Sequence, residues 1–206
     1  MSEINIYVAK EADLGYLEDV EKAIYNASRV KGTGIAIRSR EYLSQKILEG
    51  KSVIAVHEDG SWAGFCYIES WGHNKYVANS GLVVNPDYRG LGLARQIKAK
   101  ALELSAALFP EARLFGLTTS LAVMKINSSL GYQPVTFSEL TDDEEFWKGC
   151  QSCPYYDILV RTRRSHCLCT AMLKPSPAET KRAKETGAKK PGESKGDKDA
   201  GSSKAA

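Results

Sequence analysis

One segment near the middle of the chain constrains the fold more than any other, because it joins an apolar strand to an amphipathic helix through a loop of small residues. The strand ends at Pro86, which lacks an amide donor and so helps the chain to leave a sheet. Gly90 and Gly92 follow, and glycine allows sharp turns and a close approach to a ligand. The helix then begins with unpaired N–H groups at the positive end of its dipole. Together these features predict a diphosphate-binding site.

The loop between this strand and this helix contains further residues that narrow its ligand. Arg89 places a cation at the mouth of the loop, and Ala94 leaves the start of the helix uncrowded. A Rossmann fingerprint, which needs Gly-x-Gly-x-x-Gly, and a P-loop, which needs Gly-Lys-Ser/Thr, are both absent. The pattern of Arg89, Gly92 and Ala94 after an apolar strand instead resembles the acyl-coenzyme A (CoA) signature of the GNAT family of N-acyltransferases.

This resemblance implies how the segment would bind acetyl-CoA or another acyl-CoA. The backbone of Val83 and Val84 would bond the pantetheine arm, and a strand N–H near Val83 would polarise the thioester oxygen. The pyrophosphate would be held by the loop and the first turn of the helix, which comprise Arg89, Gly90, Leu91, Gly92, Leu93 and Ala94. An acyl-CoA is therefore the expected co-substrate.

Hydrophobic periodicity and turn signals predict how the elements follow one another along the chain. Strands are predicted at 4–8, 53–56, 62–71, 76–84, 114–119, 135–137 and 155–160, and helices at 13–27, 39–48, 96–108, 121–130 and 142–148. This order is similar to that of the GNAT fold across roughly residues 4–160. The resemblance therefore implies an α/β (mixed α+β) fold, in which helices flank a central mixed sheet that is mostly antiparallel.

The composition of the chain changes abruptly after Leu173. Residues 1–173 are predicted to form the N-acyltransferase domain, with a cysteine-rich segment at 150–169. Residues 174–206 lack aromatic and large aliphatic side chains, so we expect them to form a disordered tail. Nine basic and five acidic residues give this tail a charge of +4, which leaves −1 of the total of +3 for the domain. A domain so nearly neutral is not expected to bind nucleic acid.

Two cellular locations are disfavoured by the sequence. No apolar run approaches the roughly 18 residues of a membrane span, so no membrane association is expected. The polar start of the chain, which includes Glu3, lacks the basic and apolar regions of a signal peptide. A cytoplasmic protein is therefore expected, and the sequence leaves open whether it forms a homodimer.

The second half of the chain bears on which amine is acylated. Residues 114–119 (LFGLTT) and 131–135 (GYQPV), with Leu140, resemble the acyltransferase part of N-acetylglutamate synthases. This resemblance implies transfer of an acetyl or succinyl group to the α-amine of L-glutamate, as the first step of arginine biosynthesis, by a stand-alone bacterial protein. Two alternatives stay open: another acceptor, such as a protein amine, and a zinc-stabilised CoA-binding or interaction module without turnover.

A glutamate site needs cationic anchors for two carboxylates. Arg38 and Arg40 are candidates because they follow the glycine-containing loop at 32–34, between the first two predicted helices. Lys125, on the helix after Thr119, is the third candidate. For each of these residues the alternative interpretation is an ordinary exposed charge.

The acceptor amine must also lose a proton before or during its attack on the thioester. Glu69, near the end of a predicted strand, is the preferred base, and His73 is the second choice because imidazole titrates near neutral pH. Many GNAT enzymes have a tyrosine, about four positions before a Gly-Phe or Gly-Tyr pair, that protonates the departing thiolate. Asn127 occupies that position here, so it would bond the coenzyme while solvent supplies the proton.

Four of the five cysteines lie within twenty residues of one another, as Cys150, Cys153, Cys167 and Cys169. In a cytosolic protein, two close pairs of thiols suggest a metal or redox role before structural disulfides. Four thiolates suit tetrahedral zinc, so a structural zinc site is predicted, with four free thiols as the alternative.

Overall fold

The structure is a computed structural model that describes residues 3–186. Within these residues the strands are β1 Ile4–Val8, β2 Ser52–His57, β3 Trp62–Trp71, β4 Tyr76–Val84, β5 Arg113–Thr118, β6 Gln133–Val135 and β7 Thr170–Lys174. The α-helices are α1 Leu17–Ser28, α2 Arg40–Leu48, α3 Leu93–Leu108, α4 Leu121–Ser129, α5 Glu144–Lys148, α6 Tyr156–Arg161 and α7 Pro177–Glu185. In this part of the chain, no helix has both the length and the apolar character needed to cross a membrane.

All the strands belong to one sheet, in the order β1-β2-β3-β4-β5-β7-β6. Neighbouring strands are antiparallel except β4 and β5, which are parallel, so the predicted mixed and mostly antiparallel sheet is confirmed. Consecutive strand residues face opposite sides of a sheet. Accordingly Cys66 packs with Ile97 of α3 on one side, while Phe65 packs with α1 and α2 on the other.

A bulge in β4 separates this strand from its parallel neighbour. Opposite β3, Tyr67 pairs with Ser80 and Phe65 pairs with Val83, so β4 has one extra residue between the pairs. Gly81 lies there with a φ of +63°, and a Cβ at this position would be 2.6 Å from the Tyr67 ring. β4 and β5 pair only from Tyr76 to Ala78. Beyond Ala78 the two strands diverge and leave a cleft.

The last predicted strand, at 155–160, is wrong, because Tyr156–Arg161 form α6. A short apolar run cannot be assigned to strand or helix by periodicity alone. Here Leu159 is the buried residue of the turn, and the Thr162 hydroxyl donates to the carbonyl of Ile158 at the end of the helix. The strand that completes the sheet is instead β7, within the segment after the cysteines.

The predicted start of the disordered tail, at residue 174, is also wrong for the residues that the structure describes. Lys174 ends β7, and Pro177–Glu185 form α7, which begins with a capping box between Ser176 and Glu179. Glu179 also pairs with Arg113 of β5 at 2.7 Å. Capping and an ion pair therefore hold a segment with little apolar surface to bury. The remainder of the predicted tail, 187–206, lies outside the described residues.

Candidate active site

A cavity of about 360 Å³ occupies the cleft between β4 and β5 and extends from there to the segment that follows α1 and to the cysteine-rich segment. Its strand half is lined by residues 78–82 of β4, the end of β5 and α4. Its cysteine half is lined by residues 33–36 and Arg38, which follow α1, and by parts of the segment 149–169. The amide of Gly34 donates to the Thr119 hydroxyl at 3.0 Å, which ties the two halves together.

The loop before α3 has the open backbone that the sequence predicts for an anion site. Gly90 and Gly92 have φ values of +81° and +73°, and Gly92 is the N-cap of α3. Among residues 3–186, no protein acceptor takes a hydrogen bond from the amides of residues 90–94. Arg89 is exposed beside them. This loop lies beyond the cavity and is joined to it through Leu82, Val83 and Val84 of β4.

Asn127 is the candidate catalytic residue that lies on the cavity wall. It is 1% exposed, and its Nδ2 donates to the sulfur of Met172 at 3.5 Å. Its Oδ1 has no hydrogen-bond partner among the described residues, although a buried amide oxygen is costly to leave unpaired. The oxygen therefore keeps an unused capacity to accept a hydrogen bond beside the strand half.

Arg38 is the candidate anchor that lies in the cavity wall, at the cysteine half. Its Nε donates to the Tyr67 hydroxyl at 3.1 Å and its Nη1 to the carbonyl of Gly149 at 3.2 Å. None of the ion pairs in the described part of the chain includes it. Burial lowers the pKa of Arg38, but the phenols of Tyr67 and Tyr42 raise it further, so the guanidinium stays charged.

The other two candidate anchors do not line the cavity. Arg40, two residues after Arg38, is exposed and forms an ion pair with Glu21 at 2.6 Å. Lys125 is exposed on α4, on the side away from Asn127. The structure therefore brings one of the three predicted cations to the site.

The two candidate bases also lie outside the cavity lining. Glu69 is held by an ion pair with Lys46 and by the Tyr42 hydroxyl, which donates to it at 3.0 Å. Tyr42 packs edge-on against Tyr67, whose side chain does reach the cavity. His73 is exposed in the turn between β3 and β4, with a φ of +55°. Of the two, Glu69 is the one connected to the site through other side chains.

The four clustered cysteines line the cysteine half as free thiols. The sulfurs of Cys169 and Cys153 both lie close to Gly34, 3.2 and 3.8 Å from the position of a Cβ there. Burial raises the pKa of Cys169 to about 12 and that of Cys150 to about 11, so these groups are thiols at neutral pH. Within residues 3–186, no group of three or more His, Cys, Asp or Glu is arranged to hold a metal ion. The predicted zinc site is thus not supported.

Lys98 is the cavity residue that the sequence reasoning missed. It lies on the buried face of α3 beside Ile97 and is 2% exposed. Its Nζ lies 5.4 Å from the centre of the Tyr132 ring and, like the rest of the strand half, borders the cavity. The available sequence signal was a lysine on the apolar face of a predicted helix. Which residues of the sheet this lysine contacts depends on the tertiary structure.

A sequence model of the Acetyltransferase (GNAT) family matches residues 22–123, about half of the chain. This range includes β2, β3, β4, the loop before α3 and the whole of β5. Of these, β4 and β5 line the strand half of the cavity. No curated protein matches the sequence.

Solved structures with the same fold include the N-acetylglutamate synthase of Neisseria gonorrhoeae complexed with CoA and N-acetyl-glutamate. It shares 18% identity over 85% of this chain and 36% of that chain, with a TM-score of 0.61. A Mycobacterium tuberculosis protein in complex with CoA and NLQ shares 14% identity over 83% and 98%, with a TM-score of 0.60. A phosphinothricin acetyltransferase of Sinorhizobium meliloti in complex with AcCoA shares 16% identity over 84% and 88%, with a TM-score of 0.57. The present chain spans about a third of the Neisseria protein.

Proposed function

Because the chain belongs to the GNAT family of acetyltransferases, we propose that it takes an acetyl or succinyl group from the corresponding acyl-CoA and transfers it to the α-amine of a small amino acid, with L-glutamate as the acceptor. The observation that carries this proposal is Arg38, a guanidinium on the cavity wall without a carboxylate partner among the described residues. A carboxylate of the acceptor would supply that partner through a charge-assisted hydrogen bond. The cavity, at about 360 Å³, suits a small molecule.

The donor would lie along β4. Its pyrophosphate would accept hydrogen bonds from the open amides of residues 90–94, beside Arg89. Its pantetheine arm would bond the backbone of Val83 and Val84, and its thioester would reach the strand half, where β4 no longer pairs with β5. A strand N–H near Val83 would polarise the thioester oxygen.

The acceptor amine would attack the thioester carbon, and collapse of the tetrahedral intermediate would form an amide and release the CoA thiol. The proton of the amine would pass through water to Glu69, past Tyr42 and Tyr67. Glu69→Gln should lower kcat by about 100-fold with little change in the KM for acetyl-CoA. Lys46 keeps Glu49 at 3.6 Å in this variant, so the fold should survive. His73→Asn is the control, and equal activity of both variants would assign proton removal to solvent.

Two observations favour glutamate among amino acids. Residues 114–119 and 131–135 resemble N-acetylglutamate synthases, and the first of these segments forms β5, which lines the cavity. The Neisseria structure with the same fold is complexed with N-acetyl-glutamate. The acylated product would then enter the arginine pathway.

A second acceptor class is favoured by the makeup of the cysteine half. Arg38 is the guanidinium of this half, while Phe137, Phe146, Tyr155 and Tyr156 supply aromatic surface. Such a site suits an amino acid with one carboxylate and an apolar side chain. The acceptor panel separates this class from glutamate.

The experiment is a CoA-release assay of the purified protein with acetyl-CoA and with succinyl-CoA. Each donor is tested with the twenty amino acids, simple amines and a lysine-containing peptide. Turnover with glutamate above all others supports the proposal. Turnover restricted to apolar amino acids supports the second class, and turnover of the peptide or of no amine contradicts both.

A further inference from the structure

Lys98 is a buried amine that the described residues leave without an anionic partner. Its side chain is enclosed on α3, and no ion pair of residues 3–186 includes it. An unpaired ammonium in the interior costs several kcal/mol even after relaxation of the protein. A group retained at that cost, on the wall of a cavity, is a candidate for function.

The surroundings of Lys98 leave space for a ligand beside its Nζ. Gly116 of β5 has no side chain, and a Cβ there would lie 3.9 Å from Nζ and 3.8 Å from the Nδ2 of Asn127. Asn127 also leaves its Oδ1 unpaired within the described residues. An amine and an amide thus converge on one point of the strand half, next to the unpaired edges of β4 and β5.

The floor beneath Lys98 is held by a chain of hydrogen bonds. The Tyr132 hydroxyl donates to Oδ1 of Asn79 at 2.8 Å, and Nδ2 of Asn79 donates to the Ser105 hydroxyl at 3.1 Å. Ser105 in turn donates to the carbonyl of Ala101 at 2.7 Å. These groups satisfy one another's hydrogen bonds and carry no charge. They therefore fix the Tyr132 ring against Lys98 without neutralising the ammonium.

Resting on the proposed acyl transfer, we propose that Lys98 is a catalytic residue whose ammonium donates a proton to the sulfur of CoA as the thioester is cleaved. The carbon–sulfur bond breaks, its electron pair goes to sulfur, and a proton from Lys98 Nζ converts the nascent thiolate into the thiol. Lys98 regains a proton from solvent, to which Glu69 releases the proton lost by the acceptor amine. Overall, an amine and a thioester give an amide and a thiol.

Two other titratable groups face Lys98: the Cys66 thiol from β3 and the Tyr132 phenol from the segment after α4. Burial raises the pKa of Cys66 to about 11 and raises that of Tyr132, so both stay neutral at physiological pH. Burial lowers the pKa of Lys98, which brings the ammonium closer to the range in which proton donation is efficient. The groups contributed by β4, β5 and α4 are the uncharged Asn79, Gly116 and Asn127.

The first test uses Lys98→Met and Lys98→Arg, with Lys100→Met as the matched control, since Lys100 is exposed on the same helix. Replacing a buried unpaired charge by an apolar side chain is often neutral or stabilising, so Lys98→Met should fold. We expect kcat to fall by about 100-fold or more in Lys98→Met, while the Kd for acetyl-CoA changes little. Lys98→Arg should also stay slow, because a guanidinium does not release its proton near neutral pH.

The pH profile of kcat distinguishes proton donation from a structural role. The wild type should lose activity at alkaline pH, below the ordinary lysine pKa of about 10.4, and Lys98→Met should lack this limb. Unchanged kcat in Lys98→Met, or a loss of acetyl-CoA binding that accounts for the whole defect, would overturn the proposal.

A second test does not depend on turnover. The thiol of bound CoA is titrated by its ultraviolet absorbance, against the desulfo-CoA complex as reference. The Lys98 ammonium should lower the pKa of this thiol by at least half a unit relative to Lys98→Met. If the wild type acylates no amine but shows this difference, the acyl-transfer proposal fails and the contact between Lys98 and the CoA sulfur stands. Identical thiol titrations in both proteins would reject that contact.

Discussion

Single residues mark the cavity by charged or polar groups that lack an anionic or a hydrogen-bond partner within residues 3–186. Arg38 lacks a carboxylate at the cysteine half, and Lys98 and the Oδ1 of Asn127 lack partners at the strand half. Buried polar groups are normally paired, because an unpaired one costs about 1–3 kcal/mol or more. That Lys98, the Oδ1 of Asn127 and a guanidinium without a carboxylate border one cavity points to ligand atoms as the partners.

Arg38 and Arg40 provide a test at this scale, because they are two residues apart and differ in surroundings. Arg38→Met should raise the KM for the amino-acid acceptor by about 10–100-fold, since a charge-assisted hydrogen bond is worth about 1.5–3 kcal/mol. The KM for acetyl-CoA should be unaffected. Steady-state kinetics with each substrate varied in turn measure both values.

Arg40→Met is the matched control, because it removes only an exposed ion pair with Glu21. Exposed ion pairs contribute little to stability and Arg40 does not line the cavity, so the kinetics of this variant should match the wild type. An equal effect of both substitutions on the acceptor KM would contradict the assignment of Arg38 as the anchor.

At the scale of elements, the bulge of β4 creates the cleft. The bulge puts an extra residue into β4, and the strand stops pairing with β5 two residues earlier, at Ala78. Gly81 makes this possible, since it combines a positive φ with a contact to the Tyr67 ring that leaves no room for a Cβ. The bulge therefore links β4 to Tyr67, which lines the cavity and accepts the hydrogen bond of Arg38.

Gly81→Ala should destabilise the protein by about 2–4 kcal/mol, from left-handed backbone strain and from displacement of Tyr67. Because Tyr67 accepts from Arg38, the acceptor KM should rise as well. Gly60→Ala isolates the strain, since Gly60 has a φ of +86° but nothing within 4 Å of its Cβ position. Urea denaturation and kinetics on both variants test this, and an equal loss of stability would show that the Tyr67 contact is unimportant.

The elements that sequence patterns predicted are those whose signals are local. Ser39 caps α2 by accepting from the amide of Tyr42 at 3.2 Å, as its position before an apolar pattern indicates. The sequence pattern predicts a strand where α6 lies, because a run of six residues fits the period of a strand as well as that of a helix. α7 lies in a segment whose composition predicts a disordered tail; its capping box of Ser176 and Glu179 is a local signal, but its ion pair with Arg113 joins residues distant in sequence.

At the scale of the whole molecule, buried thiols make stability depend on pH. Burial raises the pKa of Cys66 and Cys150 to about 11 and that of Cys169 to about 12 in the folded state, against about 8.5 when unfolded. Between these values the folded state holds more protons than the unfolded state, so the free energy of unfolding falls as pH rises. The stabilisation is fully present below about pH 8 and is lost progressively toward pH 11.

Urea denaturation in the presence of a reductant at pH 7.5, 8.5, 9.5 and 10.5 should therefore show a falling midpoint. Lys98 acts in the opposite sense, because burial lowers its pKa and the unfolded lysine holds its proton longer. Lys98→Met should consequently show a steeper decline than the wild type. A midpoint that is constant across this range would contradict the burial of the thiols.

The sequence alone predicted the loop proposed for the donor, and the tertiary structure decided the cavity proposed for the acceptor. The loop from Val83 to Ala94 could be interpreted because its chemistry lies within twelve consecutive residues, where glycine conformation and a helix start are local properties. The cavity joins residues 33–36 and Arg38 to Tyr67 and to parts of the segment 149–169, which are far apart in the chain. Packing alone turned Arg38 inward and Arg40 outward, and it placed Lys98 opposite a glycine. Such contacts depend on which distant elements pack against each other, and no local sequence pattern carries that information.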